Sequence, residues 1–267
     1  MRLLFIGDVV GGPGRRGLRE TMPSLRERYA PDLIVVNGEN SAGGMGITER
    51  TANDIFDTGA AVITSGNHVY RHRDAYPFLE RSDRVIRPAN YPSGNPGRGY
   101  TVVEVEDAAG AMRVGVINLS GGVGLKVARS PFDAVDAILE RIEADAVIVD
   151  FHAEVTSEKV AMGWHLDGRV AAVLGTHTHV PTADARVLPK GTAFISDVGM
   201  TGSRQSILGV RIEDALGALV TQMPTRFETA DEDVWVMGAV VDVNRSGLAD
   251  SIEPVMVPAL GGASAAT

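Results

Sequence analysis

The fold is decided by the stretch Val170-Ala171-Ala172-Val173-Leu174-Gly175-Thr176-His177-Thr178-His179. An apolar run of this length followed by glycine predicts a strand buried on both faces of an α/β sheet. The chain leaves the strand at His177, and in an extended backbone His177 and His179 would project to the same side. Imidazole is a common ligand of transition metals. Taken alone, however, two histidines more often form a hydrogen-bonded structural pair than a metal site.

Four other apolar runs end in polar residues in the same way. They cover residues 3–6, 33–37, 61–64 and 146–151, and we predict a strand for each. In an open α/β sheet, ligands bind at the carboxyl ends of the strands, so the repetition predicts one shared site. The polar residues at these ends, together with the two histidines above, are Asp8, Glu39, Asn40, Asn67, His68, His152, His177 and His179.

Composition places the chain among ordinary globular proteins. Its 267 residues, 44% of them hydrophobic, suit a single domain over 1–267, with a small helical appendage allowed for. The net charge of −9 disfavours binding to long nucleic acids or anionic membranes. A phosphorylated substrate would therefore need a local positive centre, which a pair of metal ions could supply.

The chain contains no cysteine, which excludes disulfides, thiolate catalysis and cysteine-ligated metals. This composition fits the reducing cytoplasm, where we expect the protein. The first eight residues are too short for a signal peptide, and no apolar run reaches the roughly 18 residues of a membrane span.

A competing motif lies near the start of the chain. Residues 12–17 match the dinucleotide-binding pattern G-x-G-x-x-G, and Glu39 follows about 20 residues later. In that fold the first glycine closes the strand directly, whereas Gly12 stands six residues after Ile6. We therefore treat the match as accidental and keep a dinucleotide fold only as an alternative.

The remaining patterns predict two sheets rather than one. Residues 99–106 and 112–118 predict a hairpin, 192–196 a strand, and 235–243 with 252–257 a closing hairpin. Helices are expected after the glycines at 11–17 up to Tyr29, from 48 to 59, within 70–81, from Ser130, and over 157–166 and 211–222. We predict a surface position for His72, a buried and hydrogen-bonded ring for His165, and a frayed tail over 261–267.

The residues at the strand ends combine carboxylate, amide and imidazole groups. This mixture suits two adjacent divalent ions bridged by one carboxylate, whereas structural zinc sites more often use compact sets of Cys and His. Asp8 alone could equally be a turn residue, and Asn67 alone more often would be. Their joint appearance after successive strands is the stronger signal.

The motifs that carry these residues resemble the calcineurin-like metallophosphoesterases, in the same order across residues 7–179. They are Gly-Asp at 7–8, Gly-Glu-Asn at 38–40, Gly-Asn-His at 66–68, His152 and Gly-Thr-His-Thr-His at 175–179. Longer stretches, among them Asp-Phe-His-Ala-Glu at 150–154 and Asp-Val-Gly-Met-Thr-Gly at 197–202, resemble the bacterial YmdB-type branch over nearly the whole chain. Members of that branch act as phosphodiesterases on 2′,3′-cyclic nucleotides and model diesters.

The resemblance implies a four-layer α/β fold, with two stacked mixed sheets flanked by helices, a dinuclear centre and often a homo-oligomer. It implies that one metal is held by Asp8, Asn40 and His179, and that the other is held by Asn67, His152 and His177. Glu39 would bridge the two, and His68 would act on the leaving group, with Asn67 and His68 beside the substrate. Iron is the expected metal, then manganese, with zinc or magnesium as further options.

Two positions differ from the wider superfamily. Its first motif is Asp-x-His, but Val10 takes the place of the histidine here, and Asn40 is expected to fill that vacancy. Its second motif has a bridging Asp, whereas this chain has the longer Glu39. Both differences agree with the YmdB-type branch, but they leave the identity of the metals open.

The expected reaction is hydrolysis of a small phosphodiester by a hydroxide that bridges the two metals, with His68 donating a proton to the leaving alkoxide. The residues alone do not decide between diester and monoester. A phosphomonoesterase or nucleotidase on the same site is therefore the nearest alternative. A non-catalytic nucleotide-binding regulator is the alternative of a different class, and a proton donor such as His68 argues against it.

Overall fold

The computed structural model describes residues 1–107 and 110–259 of the chain. Within these residues there are thirteen strands and six α-helices. The strands are β1 Arg2–Ile6, β2 Asp8–Val9, β3 Leu33–Asn37, β4 Val62–Thr64, β5 Tyr100–Asp107, β6 Gly110–Ser120, β7 Ala146–His152, β8 Ala172–Thr176, β9 Arg186–Val187, β10 Ala193–Ile195, β11 Met200–Ser203, β12 Val234–Val243 and β13 Ala249–Pro258. The helices are α1 Gly11–Tyr29, α2 Glu49–Phe56, α3 Tyr76–Arg81, α4 Pro131–Leu139, α5 Thr156–Leu166 and α6 Ile212–Thr221.

The strands form two mixed sheets. The first has the order β2-β11-β12-β1-β3-β4, with β13 paired along β12 as well. The second has the order β5-β6-β7-β8-β10-β9. Strands β1, β3 and β4 run parallel in the first sheet, as do β6, β7 and β8 in the second. Consequently each sheet brings the carboxyl ends of three consecutive parallel strands to one edge.

The two sheets pack face to face over a shared core. Phe5 and Val35 of the first sheet belong to the same buried cluster as Val116, Ile148 and Leu174 of the second. The outer face of the first sheet is covered by helices α1, α2 and α3, and the outer face of the second by α4 and α5. These four layers confirm the fold class predicted from the sequence.

Local sequence explains where several helices begin. The side chain of Thr48 accepts a hydrogen bond from the backbone of Thr51, and Thr51 returns one, which makes a capping box before α2. Ser130 caps α4 by accepting a hydrogen bond from the backbone of Asp133, with Pro131 in the first turn as predicted. Residues 73–75 form a 3-10 turn before α3, so the helix predicted within 70–81 is present but short.

The prediction that helix α1 starts only after the glycine run was wrong, because the helix begins at Gly11. A side chain at Gly14 would place its Cβ 2.3 Å from the carbonyl oxygen of Thr201, and one at Gly17 would come 2.6 Å from Val234. These glycines therefore allow α1 to lie directly on β11 and β12. That role in packing accounts for the accidental match to a dinucleotide-binding motif.

Two further predictions from the sequence can be compared with the structure. The sequence predicts no strand between residue 197 and the helix over 211–222, but Met200–Ser203 pairs with β2 and β12 as strand β11. The predicted tail over 261–267 lies outside the described residues, as does the centre of the turn between β5 and β6. None of the described helices has the length and apolar character needed to cross a bilayer.

Candidate metal centre

The polar residues singled out in the sequence meet at the carboxyl ends of the parallel strands of both sheets. The first sheet supplies Asp8 after β1, Glu39 and Asn40 after β3, and Asn67 and His68 after β4. The second sheet supplies His152 at the end of β7, and His177 and His179 after β8. The structure thus brings all eight predicted residues to one place.

Four ligand atoms surround one point in this cluster. Nε2 of His152 lies 3.0 Å from Oδ1 of Asn67, 3.0 Å from Nδ1 of His177 and 3.1 Å from Oε1 of Glu39. The relevant atoms of Glu39, His152 and His177 all lie within 4.8 Å of one another, a spacing that could hold a metal ion. We call these four residues the His152 set.

Hydrogen bonds on the far sides of the two imidazoles determine which ring nitrogens face the centre. The hydroxyl of Thr176 donates to Asp150 at 2.7 Å, so it accepts from Nδ1–H of His152 at 2.9 Å. Nε2 of His177 lies 2.9 Å from a carboxylate oxygen of Glu154, to which it donates. Nε2 of His152 and Nδ1 of His177 therefore both point their lone pairs inward, as metal-bound histidines do.

A second group of acceptors lies beside the first. Nδ1–H of His179 donates to the carbonyl oxygen of Leu208 at 3.0 Å, which leaves Nε2 free. That nitrogen lies 3.3 Å from Oδ1 of Asn40 and 3.9 Å from Oδ1 of Asp8. We call Asp8, Asn40 and His179 the His179 set.

The acceptor atoms of these two sets suit bound cations better than direct contact with one another. Atoms that carry lone pairs repel when they face one another in a buried site unless a proton or a metal ion lies between them. Oδ1 of Asp8, in a fully buried side chain, has no hydrogen-bond partner among the residues that the structure describes. Oxygen and imidazole donors together suit iron, manganese or zinc, so the residues present fit the metals that the sequence predicts.

Glu39 and His68 are coupled across the centre. Oε1 of Glu39 lies 3.0 Å from Nδ1 of His68, and Oε2 accepts the backbone N–H of His68 at 3.2 Å. Burial alone would raise the pKa of Glu39, but the charges and hydrogen bonds of His152 and His68 outweigh it and lower that pKa. Glu39 is therefore an anion at neutral pH, while the His68 ring stays about one-third exposed.

Charge balance in the cluster shifts other pKa values in opposite directions. Burial lowers the pKa of His152, yet the neighbouring Glu39 and Asp8 outweigh burial and raise it to about 9. Burial and the nearby His152 lower the pKa of His177 to about 3. Burial raises the pKa of Asp8. Without metal, His152 therefore carries the proton that the centre needs.

The extended backbone predicted for His177 and His179 is wrong, although both side chains reach the centre. Their φ angles are 97° and 67°, so both lie in the left-handed region. The bend is held by Asp197, which accepts hydrogen bonds from the backbone N–H of Thr178 at 3.1 Å and from its hydroxyl at 2.7 Å. Lys159 of α5 forms a buried ion pair of 2.7 Å with the same carboxylate.

Sequence reasoning missed the residues that support the centre. Asp150 accepts from Thr176 and also from the side chain of Asn37 at 2.9 Å, which links the two sheets behind His152. Burial raises the pKa of Asp150 to about 6. The signal available was a charged residue within the apolar run before His152. Nothing in the sequence pairs Lys159 with Asp197, because they lie 38 positions apart.

The two other histidines lie away from the centre. Nε2 of His72 lies 2.9 Å from the carbonyl oxygen of Met45, and the residue is half-buried rather than on the surface as predicted. His165 is hydrogen-bonded as predicted, through Nε2 to Asp136 at 2.9 Å. It is also half-buried, not buried, because about one-third of its side chain remains exposed.

The arrangement of two stacked sheets with a polar cluster at the ends of their strands defines the metallophosphoesterase class. A family model described as "YmdB-like protein" matches residues 4–255. The chain therefore belongs to the YmdB-like family.

Individual relatives agree with this family. A Bacillus subtilis (strain 168) protein named 2′,3′-cyclic-nucleotide 2′-phosphodiesterase is 43% identical over 260 residues, which cover 96% of this chain and 97% of that protein. A hypothetical protein from Thermus thermophilus has a crystal structure with a TM-score of 0.89 and 40% identity, covering 97% of this chain and all of its own. A novel phosphatase from Mycoplasma pneumoniae superposes with a TM-score of 0.89 at 30% identity, covering 97% of this chain and 93% of its own.

Proposed function

We propose that this protein is a metal-dependent phosphodiesterase that hydrolyses 2′,3′-cyclic nucleotides or similar small phosphodiesters. The observation that carries the proposal is the pair of inward-facing acceptor sets around His152 and His179, which together suit two adjacent cations. The name of the Bacillus subtilis relative supports the substrate class. In a chain of net charge −9, such a local positive centre favours the binding of an anionic substrate.

The metal roles follow the two sets. Asp8, Asn40 and His179 would hold one ion, while Asn67, His152 and His177 would hold the other. We place Glu39 between them as the bridge, because its Oε1 already belongs to the His152 set. Iron is the proposed metal, manganese the next choice, and zinc or magnesium further options.

The chain's own residues supply the rest of the chemistry. Two ions bound here would hold the phosphate oxygens and lower the pKa of water into the neutral range. Asn67 and His68 would lie beside the bound phosphate, since their side chains are in contact at 3.3 Å next to the centre. His68 keeps about one-third of its side chain exposed, which leaves its ring accessible to the leaving alkoxide as proton donor.

The experiment is a screen of metal-reconstituted protein with elemental analysis of the same sample. Iron- and manganese-loaded protein should hydrolyse 2′,3′-cyclic AMP faster than adenosine monophosphates. Asp8→Asn and His177→Ala should lose both metal and turnover, while Arg50→Gln, at an exposed surface pair, should keep both. Full turnover in the metal-free protein would refute metal dependence. Preference for monophosphates would favour the phosphomonoesterase alternative, which the "putative phosphatase/phosphodiesterase" from Mycoplasma pneumoniae keeps open.

We also propose that the chain forms a homo-oligomer, as the resemblance implies. Helix α6 and the residue after its cap expose a row of large apolar side chains, and a second copy related by a two-fold axis would match such a row with its own. The row comprises Ile212, Leu216, Leu219, Val220 and Met223. Light scattering should show an oligomer that Leu219→Lys dissociates, while Lys190→Glu leaves it intact.

The cytoplasmic location stays a prediction, and cell fractionation tests it.

A further inference from the structure

A cavity of about 420 Å³ is lined by residues other than the proposed metal ligands. Its volume is typical of small-molecule sites. Three arginines line it, together with Tyr91 and Tyr100, and no acidic residue from the described ranges does. The arginines are Arg87, Arg129 and Arg141.

Arg87 is the unusual member of this group. Only 5% of its surface is exposed, and among the described residues it has no carboxylate partner. Its terminal nitrogens donate to the carbonyl oxygens of Pro88 at 2.8 Å and of Pro92 at 3.5 Å, and its side chain also forms a hydrogen bond with Tyr70. Its Nε is buried and has no partner within residues 1–107 and 110–259. A buried guanidinium without a counter-charge is costly, so the geometry calls for an anion.

The other two arginines lie at the exposed side of the same cavity. Neither Arg129 nor Arg141 forms an ion pair in the described part of the chain, and Arg141 lies over the ring of Tyr100 at 5.7 Å. Three arginines lining one cavity match a phosphate, which accepts several charge-assisted hydrogen bonds at once. A role of Arg87 in fixing its own loop would explain two of its nitrogens, but not the free Nε or the two further arginines.

The cavity is built onto the same strand ends as the metal centre. Asn90 donates to the carbonyl oxygen of Ser120 at 2.7 Å, which ties the cavity's loop to the end of β6. Ser120 pairs in register with His152 on the neighbouring strand. Tyr91 lines the cavity, and burial and the charge of Glu39 raise its pKa to about 12.

We propose that the cavity lined by Arg87, Arg129 and Arg141 is a second phosphate-binding site, distinct from the proposed metal centre. The phosphate belongs either to a substrate longer than a mononucleotide or to a free phosphorylated effector. Both sources share the chemistry of a phosphate dianion or diester held by guanidinium groups. The site itself does not depend on the proposed reaction, because it rests on the cavity and the unpaired arginines.

The test compares phosphate binding in matched variants of the full, metal-loaded chain. Titration calorimetry with inorganic phosphate should show, besides any binding at the metals, one binding event per chain that the double variant Arg129→Gln, Arg141→Gln loses or weakens about tenfold. The control is Arg113→Gln, which removes an exposed arginine outside the cavity. Because phosphate at the metals binds equally in all three proteins, the difference reports the cavity. Identical binding curves in the wild type and the double variant would overturn the proposal.

Kinetics then separates the two sources of phosphate. If the ligand belongs to the substrate, the double variant should raise KM about tenfold for a dinucleotide that ends in a cyclic phosphate, with KM for 2′,3′-cyclic AMP unchanged. If the phosphate is a free effector, both KM values stay unchanged while the calorimetric event is still lost. The calorimetry remains informative even if no hydrolysis is found, so failure of the proposed function and failure of this site are distinguishable. Arg87→Lys, which keeps the buried charge, serves as a further variant.

Discussion

His68 is the residue whose role can be separated from metal binding. It belongs to neither acceptor set, and its ring contacts Glu39 and the side chain of Asn67. We expect His68→Ala to keep the metal content of the wild type and to lower kcat by about 10² for a diester with a poor leaving group. A substrate with a nitrophenolate leaving group should be affected less. If the variant hydrolyses the poor leaving group at the full rate, His68 is not the proton donor.

Gly66 shows how closely the centre is packed around a single backbone position. A Cβ at this residue would come 2.1 Å from Oε2 of Glu39 and 2.3 Å from Nε2 of His152. Gly66→Ala should therefore displace two proposed ligands, lower the metal content, and cost about 1–3 kcal/mol of stability. Gly217→Ala is the matched control, since its Cβ meets nothing within 4 Å. Elemental analysis and urea unfolding of both variants measure the difference.

The raised pKa of His152 predicts how the metal-free protein responds to pH. Its folded-state pKa of about 9 exceeds the ordinary value of 6.5, so the interaction stabilises the fold fully below pH 6.5 and is lost as the pH rises through 9. Metal-free protein should lose on the order of 3 kcal/mol across this window. Unfolding titrations at several pH values measure it, with His152→Gln as the variant that should lack the dependence. A flat profile for the metal-free wild type would contradict the assignment.

At the scale of elements, helix α5 holds the bend that carries two proposed ligands. Lys159 on this helix pairs with Asp197, and Asp197 in turn binds the Thr178 backbone between His177 and His179. Lys159→Met would leave a buried carboxylate without its partner, which costs about 3–5 kcal/mol. Metal affinity should fall as well, because the bend is less constrained. Lys190→Met, on the surface, should change neither quantity in chemical unfolding and metal titration.

The sequence predicted elements better than the bends between them. Strands can be predicted from apolar runs such as residues 170–174 and 146–151, because a strand buried on both faces requires such a run. The left-handed conformations of His177 and His179 were not predicted. They depend on hydrogen bonds to Asp197, which lies in another part of the chain. The start of helix α1 was predicted too late in the sequence. Its glycines are required for close packing against β11 and β12 and do not mark a loop.

The same contrast holds for the centre. All eight residues at the strand ends could be named from the sequence, since parallel strands deliver their ends to one edge and the motifs have a family resemblance. The contacts of Asn37 with Asp150 and Thr176 could not, because they join strands of different sheets. Spacing along the chain carries no information about how two sheets are set against each other.

At the scale of the whole molecule, the shared core predicts one cooperative unit. Residues of both sheets belong to a single buried cluster, so unfolding of either sheet would expose the inner face of the other. Calorimetry should therefore show one unfolding transition whose calorimetric and van't Hoff enthalpies agree. A chelator should lower its midpoint without splitting it. Two resolved transitions would contradict the prediction of a single domain.

The placement of β12 has a consequence for how the protein is made. Strand β1 pairs with β3 on one side, but its other side pairs with residues 238–242. On the ribosome, the centre of the first sheet can therefore close only after β12 has been synthesised. Until then Asp8 has no fixed position relative to His177, which lies 169 residues later. Loading of the ions is thus expected to follow synthesis of β12, and a stalled chain ending before residue 234 should bind none.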